Sequence, residues 1–157
     1  MAMTEKLDQI DKKILKILST NSGISNIELA SQIGLSATPT FERVKKLEKQ
    51  KVIRGYHADI NPQPLGLGIE TFMMVSLAKT DRDSTALFLK QINEIDEVLE
   101  CYRILGSSSD YMMKIIVKDM PAYEYLAMET IRNIKEVSQL KTMVILSTLK
   151  KNYSLPL

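Results

Sequence analysis

A linker divides this chain: the segment NPQPLGLG, residues 61–68, holds two prolines and two glycines in eight residues. Such a composition interrupts helices and strands alike, because proline removes a backbone donor and glycine weakens both structures. Before the linker, apolar residues recur with helical spacing, whereas strand-like runs alternate with helices after it. We therefore predict a first domain of residues 1–60 and a second domain of residues 69–157.

The start of the first domain carries two helix signals. Apolar residues between Leu7 and Leu18 recur at helical spacing, with charged residues outside that face. SNIE, residues 25–28, fits a capping box that starts a second helix, and Gly34 suits its left-handed end.

A third, amphipathic helix is predicted within LSATPTFERVKKLEKQ, residues 35–50. Its N-cap is Thr38, with Pro39 at the first helical position, or alternatively Ser36. Its apolar side is predicted to consist of Phe41, Val44 and Leu47. Its two outer stripes are predicted to be Thr40, Arg43, Lys46 and Glu42, Lys45, Lys49. The next residues, VIRGYHADI (52–60), are rich in β-formers and are expected to form a short hairpin arm or strand.

Three helices with a glycine-containing turn before the last one describe a helix-turn-helix, whose third helix enters the DNA major groove. Residues 36–54 hold six basic and two acidic residues, whereas the whole chain has a net charge of only +2. Hydroxyls at the helix start can meet phosphates or bases, and an arginine can bind guanine through two hydrogen bonds. The predicted DNA contacts are Ser25, Ser36, Thr38, Thr40, Arg43, Lys45, Lys46 and Arg54. The alternative is an ordinary surface helix whose charges only keep it soluble.

Strand and helix patterns after the linker follow the order βαββαβ, which indicates an α+β fold: a ferredoxin-like sandwich of four antiparallel strands with two helices on one face. Several strands are apolar on both alternating sets, such as Met73 and Val75 against Phe72 and Met74. A sheet that is wet on one side would alternate more cleanly. We therefore expect a second subunit to cover the other face; the alternative is a crowded small domain.

Several classes of protein are disfavoured by composition. One cysteine, Cys101, and one histidine, His57, cannot form an internal disulfide or a usual zinc site, and are expected to be a half-buried thiol and a surface imidazole. No catalytic constellation and no required cofactor stand out. No apolar run is long enough to cross a bilayer, so we expect no membrane partner and a cytoplasmic protein.

Four blocks of the sequence resemble the Lrp/AsnC, or feast/famine, family of regulators: LDQIDKKILKIL, ELASQIGLSATPTFERVKKLE, VIRGYHADINPQPLG and CYRILGSSSDYMMKI. The resemblance implies a bacterial or archaeal transcription regulator with an N-terminal winged helix-turn-helix and a C-terminal regulatory domain. It further implies double-stranded DNA as the partner, dimers that form through the sheet and often assemble into octameric rings, and a small effector, commonly an amino acid. The effector would bind between dimers near the loop joining the second and third strands, with the residues Gly106, Ser107, Ser108, Ser109, Asp110 and Tyr111.

The chemistry of this loop suits a zwitterion, because backbone N–H groups of residues 106–109 can surround a carboxylate and Asp110 can accept from an ammonium. The alternative is a polar hairpin turn. Two positions depart from the family pattern. The loop GSSSDY has one residue more between glycine and aspartate than the usual Gly-x-x-Asp-Tyr, and Lys51 stands where the family usually has glycine. A left-handed backbone at Lys51 would be strained by ~1 kcal/mol.

Two other functions remain open at this level. One is an amino-acid-binding regulatory subunit or small metabolic enzyme built on the second domain. The other is an architectural DNA-bending protein that ignores ligands, which would fit the altered loop.

Overall fold

The computed structural model describes residues 6–156, so residues 1–5 and 157 of the two predicted domains lie outside the described part of the chain. Two compact units make up the fold. The first contains the residues up to Asp59 together with the tail from Lys150 onward, and the second contains Ile60–Leu149.

The tail from Lys150 packs with the helical unit, although the sequence pattern placed it in the second domain. Lys151 Nζ and Tyr153 Oη both donate to Asp59 Oδ1, at 2.9 and 3.1 Å. The hydrogen bond from Lys151 and, to a smaller extent, the one from Tyr153 lower the pKa of the Asp59 carboxyl. These contacts join residues more than ninety positions apart, which no local pattern reveals.

Three helices form the first unit around a small apolar core. Their bounds are Gln9–Thr20 (α1), Asn26–Ile33 (α2) and Ala37–Lys49 (α3). The buried core residues are Ile14, Leu29, Ile33 and Leu47. The predicted start of α2 is confirmed: Ser25 and Glu28 form both hydrogen bonds of a capping box. The predicted end is confirmed as well, since Gly34 is left-handed with φ of 75°.

Helix α3 begins earlier than the preferred prediction. Ser36 is the N-cap, not Thr38, so Pro39 is the third helical residue. A proline fits there because the first N–H groups of a helix have no partner within the helix. Asn26 Nδ2 donates to the Ala37 carbonyl oxygen at 2.8 Å and thereby ties the start of α2 to the start of α3.

The face of α3 that meets the core also differs from the prediction. Thr40, expected on an outer stripe, is completely buried, and its hydroxyl donates to the Ser36 carbonyl oxygen at 2.9 Å. Phe41, expected in the core, is 48% exposed. The helix is rotated so that the small, internally hydrogen-bonded threonine fits where a phenylalanine ring was expected. The prediction that Thr40 faces outward is therefore wrong.

A Schellman motif ends α3. The N–H of Val52 donates to the Leu47 carbonyl oxygen at 3.0 Å, and that of Lys51 donates to Glu48 at 2.9 Å. This pattern puts Lys51 at the left-handed position, with φ of 59°. Among the described residues, Lys51 is the only non-glycine residue with positive φ, so the predicted strain site is present.

Replacing Lys51 with glycine is expected to raise the free energy of unfolding by about 1 kcal/mol, because glycine adopts positive φ without a Cβ clash. The melting temperature should rise by roughly 4–8 °C if the small helical unit unfolds by itself. Lys49→Gly removes the same charge inside α3 and should lower the melting temperature instead. Calorimetry of both variants tests this; an unchanged or lower melting temperature for Lys51→Gly would contradict it.

The predicted strand or hairpin arm within residues 52–60 is absent; these residues run without regular strand structure. The N–H groups of both Val52 and Ile53 donate to the Leu47 carbonyl oxygen, and their side chains pack against the helical core. The N–H groups and apolar side chains of Val52 and Ile53 are thus engaged at the end of α3 and are not available to pair in a strand. The linker continues through a single 3₁₀ turn at Gln63–Leu65.

Four antiparallel strands form the sheet of the second unit, in the order β2-β3-β1-β4. They are Ile69–Leu77 (β1), Val98–Arg103 (β2), Tyr111–Val117 (β3) and Val137–Val144 (β4). Helix α4 spans Arg82–Ile92, and α5 spans Met120–Tyr125 and continues as π-helical turns over Leu126–Ile131. The predicted ferredoxin-like βαββαβ fold is confirmed. No helix of the described residues has the length and apolarity needed to span a membrane.

Helices α4 and α5 cover one face of the sheet. Phe88, Ile92 and Ile131 are fully buried against Met73 and Met113. The opposite face, called the open face here, carries Phe72, Met74, Tyr102, Met112 and Met143 beside charged residues. Tyr102 and Met143 are 47% and 46% exposed. In this single chain the open face therefore presents apolar side chains to water.

Candidate DNA interface and loop site

The exposed side of α3, called the outer face here, combines small, aromatic and cationic side chains. Its exposed residues are Ser36, Ala37, Thr38, Pro39, Phe41, Glu42, Lys45, Lys46 and Lys49. Lys45 Nζ lies 2.9 Å from a carboxylate oxygen of Glu48 and 5.6 Å from the centre of the Phe41 ring. A phosphate approaching Lys45 would compete with the Glu48 carboxylate, which is partly exposed.

Arg43 is held inside the helical unit by two carboxylates. Its Nη1 lies 2.7 Å from Asp8 Oδ2 and 2.7 Å from Asp11 Oδ1. Only 12% of the Asp11 side chain is exposed, compared with 32% of Arg43. These three residues, called the Arg43 clasp here, connect the start of α1 to the middle of α3. Arg43 lies in the predicted helix, but its guanidinium points to α1 and is occupied there.

Electrostatics reinforce the Arg43 clasp. Hydrogen bonds from the Asp11 N–H and then from Arg43 hold the pKa of the Asp8 carboxyl below its usual value. The two carboxylates raise the pKa of Arg43 in turn. Sequence reasoning left Asp8 and Asp11 out of the site. Their spacing is a capping signal at α1, but their meeting with a residue more than thirty positions away required the fold.

The remaining predicted DNA contacts occupy different settings. Ser25 is exposed, and its hydroxyl exchanges hydrogen bonds with Glu28 as the cap of α2. Hydrogen bonds that the Ser25 hydroxyl and the Ser25 N–H donate to the Glu28 carboxylate lower the pKa of that carboxyl. Ser36 and Thr38 are exposed at the start of α3, and Arg54 is exposed beyond its end. Ser36, Thr38, Lys45 and Lys46 belong to the outer face, whereas Thr40 lies beneath it.

The loop between β2 and β3 is organised by its own serines. Gly106 has a positive φ of 92°. Ser107 Oγ donates to the Ser109 carbonyl oxygen, and the Ser109 N–H donates back to Ser107 Oγ, each at 3.0 Å. Ser76 Oγ donates to the Ser108 carbonyl oxygen at 3.1 Å. The Ser109 N–H is thus engaged within the loop, although it was one of the donors predicted for an effector carboxylate.

Asp110 and Tyr111 face the body of the second unit. Asp110 Oδ2 accepts from the Leu77 N–H at 2.8 Å, at the irregularity where β1 shifts register against β4. Tyr111 is only 3% exposed and lies in the core, with its ring centre 4.9 Å from that of Phe88. Tyr111, predicted to contact an effector, is thus buried in this single chain, and its side chain supports the sheet beneath the loop.

The cysteine and the histidine lie where the composition predicted, one half-buried and the other at the surface. Cys101 is half-buried, and burial raises the pKa of its thiol, which makes it a poor nucleophile at neutral pH. His57 is exposed in the segment after α3. Neither side chain adds a reactive group to the outer face or to the loop.

Comparison with known proteins agrees with both halves of the fold. A winged helix-turn-helix DNA-binding model matches residues 7–54, and the Lrp/AsnC ligand binding domain matches residues 70–155. The leucine-responsive regulatory protein of Klebsiella pneumoniae is 36% identical over 146 residues, which cover 93% of this chain and 88% of that protein.

Two solved structures with bound amino acid have the same fold. A Neisseria meningitidis transcriptional regulator in complex with L-methionine is 31% identical, with a TM-score of 0.92 over 96% of this chain and 97% of that one. A feast or famine regulatory protein of M. tuberculosis complexed with L-methionine is 29% identical, with a TM-score of 0.83 over 93% and 96% of the chains. The resemblance of the four sequence blocks is thereby confirmed. This chain belongs to the Lrp/AsnC family of DNA-binding transcriptional regulators.

Proposed function

We propose that this regulator binds its operators by placing the outer face of α3 in the major groove. The observation that carries this proposal is the exposure of three lysines, Lys45, Lys46 and Lys49, behind the hydroxyls of Ser36 and Thr38 on one helix. Hydroxyls and unpaired N–H groups at a helix start suit phosphates or base edges, and lysines farther along suit the phosphate backbone.

The division of labour among the predicted DNA contacts follows from their settings. Ser36 and Thr38 approach the DNA first, and Lys45, Lys46 and Arg54 contact phosphates. Ser25 supports the interface as the cap of α2, beside the phosphate backbone. Arg43 keeps α3 in place through the Arg43 clasp instead of reading a base.

Lys45→Gln is expected to weaken binding to all DNA sequences by a similar factor and to lower the slope of log affinity against log salt by about one. The reason is that one fewer phosphate is neutralised and fewer counterions are released. Lys90→Gln removes an exposed charge from α4 and should leave both the affinity and the salt slope unchanged. Fluorescence anisotropy over a salt series measures them. A native protein that ignores DNA at low ionic strength would overturn the proposal.

We propose further that two subunits pair through their open faces. Exposed apolar side chains on a sheet face mark an interaction surface, and a second copy carries the same surface. Pairing would present two α3 helices to half-sites about one helical turn apart. Closure of four such dimers into an octamer is the assembly that the family resemblance implies.

An amino acid is the proposed effector, and the β2–β3 loop is its proposed site. The support is the pair of related structures that contain L-methionine. In this chain, backbone N–H groups near Gly106 would receive the carboxylate, and Asp110 would face the ammonium while still holding Leu77. Titrating L-methionine and the other amino acids against operator affinity tests this. If none changes affinity, oligomer size or melting temperature, the architectural alternative replaces it.

We infer that the protein acts by binding alone, without a catalytic step or a required cofactor. Family membership supports this role, since its relatives are transcriptional regulators. Because the target is chromosomal DNA, the proposed place of action is the cytoplasm of a bacterial or archaeal cell.

A further inference from the structure

Phe41 occupies an unusual position for a large apolar residue. It lies early in α3 and is 48% exposed, while its neighbour Thr40 is completely buried. A helix that only had to pack on its core would place the phenylalanine inside and the threonine outside. Here the aromatic ring is presented to solvent at the part of the helix proposed to enter the groove.

The neighbours of Phe41 on α3 also suit a DNA contact. Thr38, Phe41 and Lys45 follow one another at helical spacing on the outer face. The Lys45 ammonium lies 5.6 Å from the ring centre, one turn farther along. The hydroxyl and the ammonium suit anionic groups of a partner, and the ring between them suits an apolar group of the same partner.

The DNA major groove offers one such apolar point, the 5-methyl group of thymine. The residues of a recognition helix that reach base edges are those near its N-terminus, where Phe41 lies. We propose that Phe41 is a specificity-determining residue that packs against a thymine methyl in each half-site. This inference rests on the proposed function, in which α3 lies in the major groove.

The test removes single methyl groups from the DNA. Duplexes are first selected from a random library by the full-length protein, and each thymine is then replaced in turn by deoxyuridine. At one thymine in each half-site, we expect the replacement to weaken native binding about fourfold, the value of one buried methyl group. Phe41→Ala should bind the unmodified duplex at least fourfold more weakly and should no longer respond to that replacement.

A gain of function provides the complementary measurement. In a second duplex, the sensitive T·A pair is replaced by C·G, and its cytosine is then replaced by 5-methylcytosine. The added methyl group should restore part of the affinity of the native protein, but it should not increase the affinity of Phe41→Ala. Phe41→Leu should keep a reduced methyl response, and unchanged melting temperatures would exclude a folding defect in either variant.

Each of these results either supports or overturns the role of Phe41 in reading a thymine methyl group. If no thymine methyl affects native affinity, or if Phe41→Ala keeps the native response to deoxyuridine, the inference is overturned while the proposed function stands. If the native protein selects no duplex at all, the proposed function falls and the inference with it.

Discussion

Arg43→Ala is expected to weaken binding to all DNA sequences by a similar factor, on the order of tenfold, without changing the preferred base at any position. The reason is that Arg43 contacts Asp8 and Asp11 and not the outer face. Charge-assisted hydrogen bonds are stronger than neutral ones, and the Asp11 partner is only 12% exposed. Without the clasp, α3 is held less firmly against α1, so part of the free energy of DNA binding is used to position the helix.

A double-mutant cycle separates positioning from base reading. Asp11→Asn should reproduce much of the defect of Arg43→Ala, and the double variant should be little worse than Arg43→Ala, because that variant has already lost the contact with Asp11. Arg43→Lys keeps the charge but loses the planar fork and should be intermediate. Selection of operators by each variant, with melting temperatures, supplies both readouts. A changed base preference at one position in Arg43→Ala would instead identify Arg43 as a base-reading residue.

The Arg43 clasp also carries a pH dependence. Because the folded-state pKa of Asp8 is lowered, its contribution to stability is fully present above the unfolded pKa of about 3.9. That contribution is lost as the pH falls through the folded value. In Arg43→Ala, the free energy of unfolding should therefore fall less steeply with decreasing pH than in the native protein. Some of the fall remains, because the Asp11 N–H still lowers the pKa of Asp8 in the variant.

Met112→Glu is expected to convert the native oligomer to monomers and to lower affinity for a full operator by about 10²–10⁴-fold. Met112 lies on β3 opposite Met74 of β1 and Tyr102 of β2, at the centre of the open face. A carboxylate buried there between two apolar surfaces would lose its water, which is costly, whereas in a monomer it remains hydrated. The loss of affinity follows because two half-sites are no longer bound by one linked molecule.

Leu87→Glu is the matched control, since Leu87 is 53% exposed on α4 and lies off the sheet. It should remain dimeric and bind the full operator normally. The affinity of Met112→Glu for a half operator should equal that of the native protein, because one α3 helix makes the contacts in both cases. Sedimentation and binding to full and half operators distinguish these results, with circular dichroism as the check on folding. A dimeric Met112→Glu protein would show that the open face is not the interface.

Patterns within a few residues were enough to predict much of the fold. The Ser25–Glu28 capping box, the left-handed Gly34 and the βαββαβ order depend on spacing and local backbone preference, and the structure bears them out. The left-handed backbone at Lys51 stands where the resembled family usually has glycine, and the sequence had left a reshaped helix end as the alternative. These features are local because a cap or a turn satisfies its hydrogen bonds within one turn of chain.

The rotation of α3 was beyond such patterns. Both Thr40 and Phe41 fit an amphipathic helix in either orientation, and the space left by α1 and α2 decided which one was buried. In the same way, Arg43 looked like a free cation because its partners lie 32 and 35 residues earlier in the chain. The predicted strand after α3 failed because the Schellman motif had already engaged its N–H groups.

The amino-acid order by itself determined the two-part architecture and the helix-turn-helix, since these depend on periodicity, caps and linkers along the chain, and its four blocks carried the resemblance to the family. Only the tertiary structure decided which side chains of α3 face outward, where Arg43 points, and that Asp110 and Tyr111 support β1 and the core. The physical reason is that packing and long-range ion pairs depend on the shape and charge of elements far apart in sequence. A one-dimensional pattern places a residue on a helix or strand, but its neighbours across the core determine what it contacts.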